Sequence, residues 1–205
     1  MVRARRLTGG EMDLLRPVFA GSIDYDAVRL HARRYLPFQP ADVAMAPNGA
    51  VFYPAAHFSS DFAAQDLERQ TWFVHEMVHV WQHQNRVMRD LRLLGAVALG
   101  TGLYGRTGPV SGAAGRYLYD YDHCIAEDAT SAALELGDFG FEQQAMIIED
   151  YYRATHGDDR IGLARFVDPQ KGLLRHFLKD PAYLRHRRSW RIVFPPSLVR
   201  DRGAL

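Results

Sequence analysis

The segment Trp72-Phe-Val-His-Glu-Met-Val-His-Val-Trp81 is apolar everywhere except at His75, Glu76 and His79. Apolar side chains on nearly every side describe a helix that is buried, not one laid on a surface. The pattern reads as one helix over Gln65 to Asn85. A buried imidazole or carboxylate needs a partner, because an unpaired charge in apolar surroundings is expensive. Three such groups within five positions are hard to satisfy by core packing, and one metal ion satisfies all of them. The competing structural reading is a helix with two core histidines held by ordinary hydrogen bonds.

His75-Glu76-Met77-Val78-His79 is an H-E-x-x-H sequence. Residues four apart on a helix lie one above the other, so the two imidazoles can reach a single Zn²⁺ at ~2.0–2.1 Å. Glu76 projects about 100° round from His75, beside the metal and not on it. That position suits a general base that takes a proton from activated water. His83 extends the series, but its Cα lies ~12 Å along the axis from that of His75 at 1.5 Å per residue. No glycine turn follows the motif, so the elongated three-histidine pattern is absent.

A catalytic tetrahedral site wants a third protein ligand and an open position. The candidates are Glu142, Glu127 and His123. Glu142 opens a helical stripe in which Phe141, Ala145, Ile148 and Tyr152 recur at i, i+4, i+7 and i+11. A first-turn carboxylate is favoured by the helix dipole alone, which is the plain structural reading of Glu142. Glu127 sits beside small residues in Ala126-Glu-Asp-Ala129. For an oxyanion donor the candidates are Tyr151, Tyr152, His123 and Tyr121, and sequence does not choose among them.

The 205 residues are enough for one domain with a continuous core, read as a metal-binding domain over 1–158 and a basic extension over 159–205. Charge is uneven within a net +1. Asp120 to Asp159 carries eleven acidic side chains against Arg153, and Lys171 to Leu205 carries nine basic against Asp180 and Asp201. The basic end, with Arg187, Arg188 and Arg191, reads as a solvated face or as a contact for an acidic partner. No aromatic-interleaved basic motif is present, so nucleic acid is ranked low.

The single cysteine, Cys124, excludes a disulfide framework within the chain and zinc sites of the finger type. The basic start Met1 to Arg6 lacks an apolar run behind it, unlike a signal peptide. The apolar run Leu93 to Gly105 is too short to span a bilayer and reads as a glycine-broken lid or a packed connection. A cytoplasmic protein is the expectation, exported, if at all, by a non-classical route.

Along the rest of the chain, Thr8 caps a helix that continues through Phe19, with Glu11 completing the capping box. Asp26 to Leu36 reads as a strand. Val43 to Met45 and Ala50 to Tyr53 read as a hairpin around Pro47-Asn48-Gly49. Ala126 to Leu136 reads as a helix ending at Gly137, and Leu173 to Leu178 and Ala182 to Arg188 as shorter helical pieces.

The H-E-x-x-H helix followed by a distant glutamate resembles the gluzincin branch of the zincin metallopeptidases. More closely, the chain resembles the bacterial Vgr-related proteins, whose members occur near type VI secretion and Rhs elements. The matching stretches are Leu7 to Glu11, Ser22 to Tyr25, Ala46 to Gly49, Phe73 to Gln82 and Phe141 to Tyr151, spread over about three quarters of the chain. The resemblance implies a zincin-like α+β fold with the H-E-x-x-H helix beneath a small sheet. It also implies an edge strand that pairs with an extended substrate, here Ala50, Val51, Phe52 and Tyr53. It favours Glu142 over Glu127 as third ligand. The function expected is a zinc metallopeptidase acting on a peptide or protein substrate. The alternative is a non-catalytic, zinc-stabilised adaptor whose partner is a secretion-system protein.

Overall fold

The computed structural model describes residues 4–87, 120–122, 134–158 and 162–185. Cys124, His123, Glu127, the Leu93 to Gly105 run and the basic residues Arg187, Arg188 and Arg191 lie outside them.

The chain opens with β1 (Ala4–Arg5) and α1 (Gly9–Phe19). Thr8 caps α1 as its sequence predicts: its Oγ1 accepts from the Glu11 N–H at 3.0 Å, and Glu11 Oε2 accepts from the Thr8 N–H at 2.9 Å. Glu11 is fully buried and does more than cap. Its carboxylate pairs with Arg5 at 2.6 Å and accepts from the Phe62 N–H at 2.8 Å, tying β1, α1 and the approach to the next helix together.

The strand expected over Asp26 to Leu36 is much shorter. Asp24 accepts from the Ala27 N–H and turns Tyr25–Ala27 into a 3-10 helix, so that only β2 (Leu30–Ala32) is extended. The sheet order is β1-β2-β3, with β3 (Val51–Tyr53) parallel to β2 and β1 antiparallel to it. The expected hairpin reduces to one bridge in which Met45 and Phe52 exchange both backbone hydrogen bonds, at 3.1 and 2.8 Å. The turn between them needs Gly49 twice over. Its φ is +80°, and a Cβ there would lie 2.7 Å from Cδ2 of His83.

Helix α2 (Leu67–Gln84) starts at Asp66, whose side chain accepts from the Arg69 N–H at 2.9 Å. Helix α3 (Phe141–Thr155) follows a 3-10 turn at Leu136–Asp138. Among the described elements, the two long helices pack along one another most extensively. Phe73, Met77 and Trp81 of α2 and Ala145, Ile148 and Tyr152 of α3 enter one core with Leu15, Phe19 and Phe62. Each large side chain so buried contributes ~1.5–3 kcal/mol of transfer free energy.

The described part of the C-terminal region is integral to this core. Phe166 on the four-residue α4 (Ala164–Val167), then Leu173, Leu174, Phe177 and Leu184, are buried in the same cluster. Leu173 to Leu178 forms successive turns, not the helix its spacing suggests. The result is an α+β fold with a small sheet, in which α2 and α3 carry the polar residues singled out above.

Candidate metal centre

His75 and His79 face α3 from one side of α2. Their Nε2 atoms each lie 3.3 Å from the same atom, Oε2 of Glu142. The ligand atoms of the three residues all fall within 4.8 Å of one another, and they form a group able to hold a metal ion. His79 and Glu142 are buried, and the side chain of His75 is 12% exposed.

The Nδ1 atoms point the other way and are engaged. His75 Nδ1 lies 3.0 Å from Glu149 Oε2, and His79 Nδ1 lies 2.9 Å from Gln82 Oε1. Glu149 is held in turn by Arg153, whose guanidinium donates to Oε1 at 3.0 Å. Two imidazole nitrogens and a carboxylate oxygen thus converge, and among the described residues no further donor stands between them. Such an arrangement calls for positive charge, either a proton on the rings or a cation.

The electrostatics agree. Burial works against charge on His75, but its hydrogen bonds to Glu142 and Glu149 override this and raise its pKa to about 10. His79 is raised too, burial again being outweighed by Glu142. Burial opposes ionisation of Glu142, yet the two histidines hold it well below the usual carboxylate range.

Glu76 projects from the same helix into a different environment. Its Oε2 is buried and is one of two described buried side-chain polar atoms without a hydrogen-bond partner, the other being Tyr53 Oη. Burial raises its pKa, partly offset by His79 and His75. A carboxylate with an unused acceptor beside a three-ligand cluster can take and return a proton. The donor set itself, two imidazole nitrogens and a carboxylate oxygen around a shared point, suits a divalent ion of the zinc kind.

Other expected site residues fare differently. Phe52 has its outward N–H and C=O taken by Met45, and β2 pairs with Val51 and Tyr53, so β3 is flanked on both sides and fully buried. Ala50 to Tyr53 therefore does not offer an open substrate edge at Phe52. Two of the oxyanion candidates are also committed elsewhere: Tyr121 Oη donates to Asp150 at 2.6 Å and Tyr152 Oη to Gln70 at 2.9 Å. Tyr151 packs against Phe166. His83 is exposed and lies against Gly49, a turn further along α2 than His79. Glu149 and Gln82 were not singled out by the sequence. A signal for Glu149 existed, since it lies seven residues after Glu142 and so on the same helical face.

The fold and the site together define an α+β domain with a buried His-His-Glu cluster suited to a cation. No family model matches the chain. Over 149 residues it is 34% identical to the type VI secretion system spike protein VgrG2b of Pseudomonas aeruginosa, in a match that takes in 72% of this chain and 13% of that protein. The solved structure of the effector domain of Pseudomonas aeruginosa VgrG2b matches with a TM-score of 0.55 at 30% identity, covering 84% of this chain and 81% of that one. The chain belongs to the family of the VgrG2b effector domain, in line with its resemblance to the Vgr-related proteins. It spans only the stated small fraction of the spike protein's length.

Proposed function

We propose that this chain is an effector module of a type VI secretion system and that it hydrolyses peptide bonds as a zinc-dependent, zincin-like enzyme. The observation that carries the chemistry is the convergence of His75 Nε2, His79 Nε2 and Glu142 Oε2, with the unpartnered Oε2 of Glu76 on the same helix. His75, His79 and Glu142 would hold the ion. Zinc, when bound, supplies a Lewis acid that polarises a carbonyl and lowers the pKa of water. Glu76 takes a proton from the attacking water as the new C–O bond forms. It returns that proton to the amine as the C–N bond breaks. Its raised pKa favours the second transfer. The link to secretion rests on the kinship with the VgrG2b effector domain.

The test pairs zinc content by elemental analysis with cleavage of a mixed peptide library by mass spectrometry. Glu76→Gln leaves the three ligands in place, so zinc stays near one per chain while hydrolysis falls by ~10²–10⁴-fold. His79→Ala loses both metal and activity. A Glu76→Gln protein that cleaves as fast as wild type would remove the proposed mechanism.

A second reading is a zinc-stabilised adaptor without catalysis. It is favoured by the spike protein among the relatives and by the near-complete enclosure of Glu76, which is 5% exposed. Zinc-loaded wild type that binds secretion-spike protein but cleaves no peptide would support it.

A further inference from the structure

The ligand histidines are oriented from outside the ligand set, and the direction of each contact can be worked out from groups that only accept hydrogen bonds. The Phe139 carbonyl is such a group. It receives the side-chain amide N–H of Gln144 at 3.0 Å, so Gln144 turns Oε1 towards Gln82. Gln82 Nε2 donates to that oxygen and to the Phe141 carbonyl, both at 2.9 Å. With both amide hydrogens committed, Gln82 presents Oε1 to His79 Nδ1. An amide oxygen cannot donate, so Nδ1 carries the hydrogen and Nε2 keeps its lone pair in the neutral ring. At His75 the acceptor is the carboxylate of Glu149, held by Arg153, with the same consequence.

Gln82, Gln144 and Glu149 are buried, and Gln144 touches neither histidine ligand in any of these contacts. Gln82 has a second effect. Its bond to the Phe141 carbonyl pins the first turn of α3, the turn that carries Glu142. One side chain thereby orients a ligand on α2 and positions another on α3.

We propose that Gln82, Gln144 and Glu149 are positioning residues of the metal centre, locking both imidazoles as Nδ1–H tautomers with Nε2 aimed at the point shared with Glu142. The proposal rests on the zinc reading above. Outer partners of this kind are worth about 10–100-fold in metal affinity.

The experiment measures zinc affinity of the full chain by competition with a chromophoric chelator, with far-ultraviolet circular dichroism as a check on folding. Ring ¹⁵N chemical shifts of the zinc-loaded wild type report the tautomer. The variants are Gln82→Leu, Gln144→Leu and the near-isosteric Glu149→Gln. Gln84→Ala is the control, since its amide bonds Asp24 at the exposed edge of α2. The expected result is a loss of ~10–100-fold for Gln82→Leu and Glu149→Gln, a smaller loss for Gln144→Leu, and none for Gln84→Ala. Both rings should be metallated at Nε2 and protonated at Nδ1. If Gln82→Leu does not fold, Glu149→Gln and the wild-type spectrum decide. Wild-type affinity in the folded variants, or zinc on Nδ1, overturns this inference and leaves the zinc reading standing. Wild-type protein that takes up no zinc overturns both.

Discussion

The indole N–H of Trp81 donates to the carbonyl of Pro181 at 2.7 Å, joining the end of the H-E-x-x-H helix to a residue one hundred positions later. Arg185 makes a parallel contact, its guanidinium donating to Asn85 Oδ1 at 2.9 and 3.0 Å. Between them Phe177 packs edge-on against both Trp81 and Phe19. Phe177→Ala should therefore cost ~3–5 kcal/mol in urea unfolding of the metal-free protein. Truncation after residue 158 should abolish cooperative unfolding. A truncated chain with wild-type unfolding behaviour would show that 162–185 only decorates the fold.

This contact also marks where sequence reading stops. The site was legible because its signals are local: the i, i+4 histidines, the apolar helix around them, and the Phe141 to Tyr152 stripe that put Glu142 on the inner face of α3. The C-terminal segment carries no comparable period. Its apolar residues are scattered among prolines and charges, and only tertiary contact with Trp81 and Phe19 reveals them as core. The strand reading over Asp26 to Leu36 failed for a related reason, since alternation persists beyond the three residues that find a strand partner and Asp24 forms a competing cap. Gln82 was missed because a glutamine on a helix is ordinarily solvated; its role exists only once Gln144 and Phe141 are beside it.

His83 continues the histidine series, yet it is exposed and lies against Gly49, two turns along α2 from His75. His83→Ala should leave zinc stoichiometry and affinity unchanged. Gly49→Ala should instead destabilise the fold by ~1–2 kcal/mol through its left-handed φ, with some further crowding of the imidazole. Denaturant titration and metal analysis of both variants separate the two effects. Loss of zinc in His83→Ala would place that histidine in the centre.

Glu142 shares one oxygen between both imidazoles, so its removal should cost more than the loss of any outer partner. Glu142→Ala should weaken zinc binding beyond the ~10–100-fold expected of Glu149→Gln. Glu127→Ala is expected to leave affinity near wild type. Competition against a chelator compares the three directly. Wild-type affinity in Glu142→Ala would move the third ligand to Glu127 or His123.

The charges of the metal-free centre give the last prediction a definite sign. His75 has a folded pKa of about 10, above the ~6.5 of an unfolded histidine. Its contribution to stability is therefore fully present below ~6.5, fades as pH rises, and is gone above about 10. Glu142, depressed by the same contacts, contributes fully above the ordinary carboxylate range and loses that contribution progressively as pH falls below it. Metal-free protein should thus lose stability steadily between pH 6.5 and 10. Zinc reverses the slope, because it needs neutral imidazoles and competes with the very protons that stabilise the empty site. Affinity should go on rising with pH well beyond the point, a little above ~6.5, where unperturbed histidines would level off, and loading at a mildly alkaline pH should release protons. Denaturation midpoints with and without zinc across this range, and calorimetry in buffers of different ionisation enthalpy, measure both effects. Stability of the metal-free protein that stays flat from pH 6.5 to 10, with no proton release on loading, would show that His75 is not held charged between Glu142 and Glu149.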